Sequence, residues 1–164
     1  MLTSQQLLEE GIITNVPEEC IAQVGIDLQV QSFRKITGMG FVPKVGKTVL
    51  PTYEEVPWDE DNCVILMPGS YEAVFEQGCK LPDNVAGQII HRSSVLRSGE
   101  ILMSAEFDPG FETSNMGSFI TVHVPIKIEK GARLGQIVCH RTEVPATKYN
   151  GQWQKDVQRG QEGK

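Results

Sequence analysis

From Val24 onward apolar and polar residues alternate: Val24, Ile26, Leu28 and Val30 against Gly25, Asp27, Gln29 and Gln31. A period of two places the sets on opposite faces of a pleated strand, so a half-buried strand is predicted over 24–30. Shorter apolar runs predict further strands at 63–67, 71–77, 85–91, 99–103, 118–128 and 134–140. Turn-forming clusters (MPGS, LPDN, DPG) separate most of them. Ahead of the first strand, TSQQLLEEG predicts a short helix. Thr3 and Gln6 suit a capping box, Leu7 and Leu8 its buried face, and Gly11 its end. Residues 34–62 carry Gly38, Gly40, Pro43, Gly46, Pro51 and Pro57 and end in the acidic run WDEDN. They are expected to be irregular, a surface excursion that includes at most a hairpin. Strands this short and closely spaced favour a β-barrel or jelly-roll sandwich over any βαβ design.

Composition sharpens the β reading. Val and Ile together number 29, against 10 Leu and 6 Ala. β-branched side chains suit a pleated surface, whereas Leu and Ala favour helices. A length of 164 residues suits one domain. The net charge of −6 argues against a polymeric nucleic-acid partner, which requires clustered Lys and Arg. It leaves room for a small anion in a locally positive pocket. No apolar stretch approaches the ~18–20 residues of a membrane span. The N-terminus carries two glutamates and no basic segment, so no signal peptide is expected. Cys20, Cys63, Cys79 and Cys139 form no CxxC pair or Cys/His cluster, which disfavours structural zinc. Residues such as Cys63 in CVILM are expected to be small buried hydrophobes, with reduced thiols in a cytoplasmic protein. The polar ending KYNGQWQKDVQRGQEGK is read either as a frayed end or as a flexible arm that orders over a ligand.

Four segments carry candidate chemistry. QVGIDL (23–28) holds Asp27 as the single acid of an apolar strand. HRSSVLRSG (91–99) is read as a turn, with the planar donor fork of Arg92 beside the hydroxyls of Ser93 and Ser94. Phosphate oxygens want several short, charge-assisted donors of this kind at once. GEILMSAEFDPGFETSNMG (99–117) reads as a hairpin around Met103 and Ser104 that delivers Asp108 into a DPG turn. KGARLGQIV (130–138) reads as a Gly turn feeding a strand that bears Arg133 and Gln136.

Taken in order, these segments resemble the trimeric dUTPase and dCTP deaminase superfamily. MLTSQQLLEEGII and QVGIDLQV are similar to the first helix and strand of dCTP deaminases, and HRSSVLRSG resembles the shared phosphate-binding motif. FDPGF resembles the shared acidic turn, ARLGQIV the "RIGQL" or "RIAQL" motif, and KYNGQ the deaminase ending "KYQGQ". The resemblance implies a mainly β, distorted barrel or jelly roll of the dUTPase-like β-clip type. It implies a homotrimer with three sites between subunits, and a deoxynucleoside triphosphate carried by Mg²⁺. The barrel would span 1–147, and 148–164 would form an arm closing over the nucleotide.

The resemblance also distributes roles. Arg92, Ser93, Ser94, Gln136, Lys148 and Gln152 would bind phosphates, and Asp108 would position and activate water. Residues 99–106, with Ile101, Met103, Ser104 and Ala105, and then Phe107 would surround base and sugar, base selection resting on backbone groups. Arg97 is a deaminase-like feature at that pocket, and Tyr149 or Trp153 would stack on the base as a lid. Asp27 would be an outer-shell group for the metal, since Mg²⁺ keeps most of its waters and is held chiefly by substrate.

Zinc-free deamination needs a carboxylate that activates water and shuttles protons, in this family a Glu in a strand like "ITLEL". Here the strand reads GSFITVHVPIKI, which puts His123 or, one residue earlier, Val122 at that place. Residues 117–128 contain no Asp or Glu. His123 shares a polar face with Thr121 and Lys127. Glu106 stands near the position where deaminases carry Arg, the 92–108 hairpin is dUTPase-sized, and ETSNM (112–116) is an insertion expected to reshape the pocket rim. The expectation is a Mg²⁺-dependent dUTP diphosphatase. The alternatives are a dCTP deaminase, alone or combined with hydrolysis, and a catalytically idle nucleotide-binding regulator.

Overall fold

The computed structural model describes residues 1–154. In chain order it has α1 (Ser4–Glu9), β1 (Ile13–Thr14), a 3-10 turn (Glu18–Cys20), β2 (Ile26–Ile36), β3 (Tyr53–Val56), β4 (Cys63–Leu66), β5 (Gly69–Phe75), β6 (Gly78–Lys80) and β7 (Val85–His91). There follow α2 (Ser93–Arg97), β8 (Glu100–Met103), β9 (Glu106–Phe107), β10 (Glu112–Thr113), β11 (Gly117–Val122), β12 (Ile126–Glu129) and β13 (Arg133–Arg141). The main sheet runs β8-β11-β5-β2-β13-β7-β9, with β3 added on β2. Two small sheets, β1-β6-β10 and β12-β4, complete the curled, antiparallel architecture. The mainly β expectation holds.

β2 holds the molecule together because its eleven residues serve two ladders. Residues Ile26 to Gln29 pair with β13, and Val30 to Lys35 pair with β5 across a bulge between Val30 and Ser32. The inward set Ile26, Leu28, Val30 and Phe33 is fully buried. It meets Phe75 of β5, Ile120 of β11 and Ile137 of β13 in one core. Each such side chain contributes roughly 1.5–3 kcal/mol relative to exposure. α1 begins as expected: the Gln6 N–H donates to the Thr3 hydroxyl, and the Gln6 side chain accepts from the Thr3 N–H at 2.9 Å. Gly25, at φ +74°, lets the chain enter β2 where a Cβ would run into the Ile137 carbonyl.

Several boundaries differ from expectation. The strand expected over 24–30 is β2, which begins at Ile26 and runs to Ile36, into the stretch expected to be irregular. The remainder of that stretch forms the loose hairpin, closed by a Phe41–Val49 bridge and followed by β3. The single strand expected at 118–128 is two, β11 and β12, in different sheets. Pro125 lies between them and has no N–H to continue a ladder. The 91–99 turn contains a short helix, α2. ETSNM becomes the edge strand β10 plus Met116, which is fully buried and accepts the Phe75 N–H. Cys63 is only half-buried, whereas Cys20, Cys79 and Cys139 are buried. Burial pushes the Cys139 thiol up to about 12, which keeps it protonated and inert. Among the described residues no helix is long and apolar enough to cross a membrane.

Candidate active site

A half-open cavity of about 440 Å³ lies on the outer face of β8, β11 and β5. β8 and β11 pair with Met103 opposite Phe119, and both side chains enter the floor. The chain then leaves β8 through Ser104 and Ala105, which also line the cavity. The Ser104 hydroxyl accepts the Ile89 N–H at 2.9 Å, tying this corner to β7. Phe107 and Asp108 follow on the wall, with the Asp108 side chain on an exposed turn. That turn closes through the Phe111 N–H, which donates to the Asp108 carbonyl at 3.0 Å.

The tail covers this turn. Tyr149 donates its N–H to the Pro109 carbonyl at 2.7 Å, and the Gln154 amide donates to the Gly110 carbonyl at 2.7 Å. Gly110, at φ +84°, permits the approach: a Cβ there would sit 2.9 Å from Cβ of Lys148. Phe107, Phe111 and Tyr149 pack in succession, the first pair tilted and the second edge-on, with ring centroids 5.4 and 5.6 Å apart. Tyr149 and Trp153 line the cavity. Lys148 lies over the turn, and the Gln152 amide donates to the Thr48 carbonyl at 3.4 Å, on the 37–52 excursion. Residues 155–164 of the arm lie outside the described residues.

The second group of expected residues gathers elsewhere. Gln136 on β13 is the Cα partner of Asp27 on β2 and of Ile90 on β7. The Asp27 carboxylate, 8% exposed, takes Arg92 Nε at 3.1 Å and Arg133 Nη1 at 3.3 Å on one oxygen. Burial pushes the Asp27 carboxyl above its usual range, with Arg92 and then Arg133 pulling against it. Arg92 also donates to the Arg133 carbonyl at 3.2 Å, so its guanidinium is oriented from two sides. Ser93 and Ser94 are exposed at the start of α2. None of Asp27, Arg92, Ser93, Ser94 and Gln136 lines the cavity. β7 separates the two groups: Ile89 contacts Ser104, and Arg92 follows three residues on, about 10 Å at strand rise.

Two expected pocket residues lie outside the cavity. Arg97 is exposed in the last turn of α2, and Ile101 sits farther along the outer face of β8. Leu50, Tyr53 and Glu72, which do line it, come from stretches without a motif. Thr113 of the insertion also reaches the cavity wall. Of the two positions matched to the deaminase Glu, His123 is exposed beyond the end of β11, and Val122 is buried in the core. The break after Val122 separates His123 from the strand face of Thr121. The Cα partner of Val122 is Glu100, fully buried, with no hydrogen-bond partner for either carboxylate oxygen among the described residues. Burial pushes the Glu100 carboxyl up, opposed more weakly by its own backbone N–H and by His123.

The antiparallel β fold thus sets an acid on the rim of an aromatic cavity and, apart from it, a turn that carries a guanidinium and two hydroxyls. The chain belongs to the dCTP deaminase-like family, whose pattern matches residues 2–142. It is 41% identical over 131 residues to a deoxyuridine 5'-triphosphate nucleotidohydrolase of Methanocaldococcus jannaschii, covering 79% of this chain and 83% of that one. It is 28% identical over 158 residues to a dCTP deaminase of Pyrococcus horikoshii, covering 94% and 91%. The crystal structure of 2'-deoxycytidine 5'-triphosphate deaminase from Agrobacterium tumefaciens shares the fold, with a TM-score of 0.64 and 16% identity over 85% of this chain and 48% of that one.

Proposed function

We propose that the protein is a Mg²⁺-dependent dUTP diphosphatase, hydrolysing dUTP to dUMP and pyrophosphate. The observation that carries this is the position of Asp108, on the cavity wall, in a chain with no acid anywhere from 117 to 128. Relatives bear both activity names, and the acid required for deamination is the part missing here. Base and sugar enter between Met103, Ser104, Ala105 and Phe107, with Tyr149 and Trp153 above them. Asp108 orients a water, accepts its proton, and directs the oxygen to the α-phosphorus. The bond from that phosphorus to the bridging oxygen breaks, and pyrophosphate leaves.

The phosphates fall to Arg92, Ser93, Ser94 and Gln136, with Lys148 and Gln152 from the tail. This turn and the cavity are separate in one chain, which supports a homotrimer in which the turn of one subunit faces the cavity of the next. Mg²⁺ bound to the triphosphate supplies charge neutralisation. Among the described residues no three His, Cys, Asp or Glu side chains cluster to hold an ion. Asp27 is committed to two guanidiniums, so it acts by orienting Arg92 and would be at most an outer-shell group for the ion. Asp108→Asn is expected to keep its melting temperature within a few degrees and to lose pyrophosphate release by at least about 100-fold. Wild-type rates in that variant would remove Asp108 from the mechanism.

A further inference from the structure

The DPG turn that carries Asp108 is held from two sides. On one side Gly110 donates its N–H to the Pro82 carbonyl at 3.2 Å, and the Phe111 carbonyl accepts the Leu81 N–H at 2.9 Å. On the other side a single tail residue takes two backbone groups. The Gln154 side-chain amide donates to the Gly110 carbonyl at 2.7 Å and accepts the Glu112 N–H at 3.0 Å. A primary amide carries a donor and an acceptor side by side, as a peptide group does. Gln154 therefore meets the outer edge of β10 as one residue of a further strand would, while β6 pairs with the other edge.

Gln154 is also the far anchor of the docked tail. The near anchor is Tyr149, through its N–H on Pro109 and its ring on Phe111. Between the two, the chain folds on itself: the Trp153 N–H reaches the Tyr149 hydroxyl at 3.3 Å, and the Gln154 N–H the Gly151 carbonyl at 3.3 Å. Both of these bonds are long and local, and neither ties Trp153 to the barrel. Gln152 adds a 3.4 Å contact with the Thr48 carbonyl. The place of Trp153 on the cavity wall thus depends on the shorter pair of bonds made by Gln154.

We propose that Gln154 is a positioning residue for the reaction: its amide clamps the tail to the DPG turn, sets Trp153 over the cavity and steadies the backbone that aims Asp108. It acts through those two residues and takes no part in bond making. This inference rests on the diphosphatase reading and adds to it a residue outside the KYNGQ motif.

Trp153 reports the clamp directly, because Trp58→Phe leaves it as the one tryptophan of the chain. In that background, acrylamide quenching of Trp153 is expected to rise in Gln154→Ala to near that of free N-acetyltryptophanamide. Gln154→Glu keeps the length and an acceptor but turns a second oxygen toward the Gly110 carbonyl, and is expected to match Gln154→Ala. With Trp58 in place, both variants are expected to keep the wild-type circular dichroism. Both are expected to lose at least about tenfold in kcat for dUTP with Mg²⁺, the scale of two hydrogen bonds. Unchanged quenching in either variant, unchanged kcat, or a loss confined to KM overturns the inference. If Trp58→Phe fails to fold, the same comparison is made with Trp58 kept, since that residue is common to all three proteins. If the wild-type protein does not hydrolyse dUTP, the diphosphatase reading fails, and the quenching alone decides whether Gln154 clamps the tail.

Discussion

At the scale of single residues, the buried carboxylates Asp27 and Glu100 serve different ends. Asp27 is matched by two guanidiniums, and its burial is the means by which Arg92 is aimed. Glu100 has no such match among the described residues, so its charged form is the costly one. Its folded-state pKa is raised, so the native state holds the proton more tightly than the unfolded chain. Its contribution to stability is therefore fully present below the usual Glu range and is lost as pH rises through the raised value. Glu100→Gln removes that dependence. The variant is expected to gain stability over wild type at pH 7.5 and to gain less at pH 4.5, as read from urea melts. Equal differences at the two pH values would show that burial does not raise the Glu100 carboxyl. Motif reading found Asp27, Arg92 and Asp108 because short patterns carry them. Glu72, buried and paired with Arg34, belongs to no motif: only strand register brings it beside Phe119.

At the scale of elements, period-two alternation located the centre of β2 and Gly/Pro clusters located most turns, since both reflect local backbone chemistry. Expected and observed limits agree for 85–91 because β7 is flanked by Asn84 and by the start of α2. The errors fall where a partner strand decides. β1, β6 and β10 are two or three residues long and exist only because they pair with one another. β2 continues past Gln31 because β3 and β5 flank it there. The tail was open between a frayed end and an arm, and residues 148–154 lie docked on the DPG turn. Deleting 148–164 removes the Phe111–Tyr149 edge contact, worth about 0.5–1.5 kcal/mol, and two hydrogen bonds to the turn. The truncated protein is expected to remain folded by circular dichroism, melt a few degrees lower, and lose most dUTP turnover. Full turnover would confine the tail to packing.

At the scale of the whole molecule, the cavity with Asp108 and the turn with Ser93 and Ser94 are separate surfaces of one chain. The proposed trimer unites them, and subunit mixing tests that union. Asp108→Asn and the double variant Ser93→Ala/Ser94→Ala are each expected to be nearly inactive alone. Refolded together in equal amounts, they are expected to recover about one quarter of wild-type activity, the fraction of sites drawing one intact half from each parent. No recovery would place both halves on the same subunit. The central claim is water attack at the α-phosphorus of dUTP, and hydrolysis in ¹⁸O-labelled water with Mg²⁺ tests it most directly. The account predicts dUMP carrying one ¹⁸O and unlabelled pyrophosphate, with no uracil nucleotide formed from dCTP. Label in the pyrophosphate, deamination of dCTP, or binding of dUTP without turnover would contradict it.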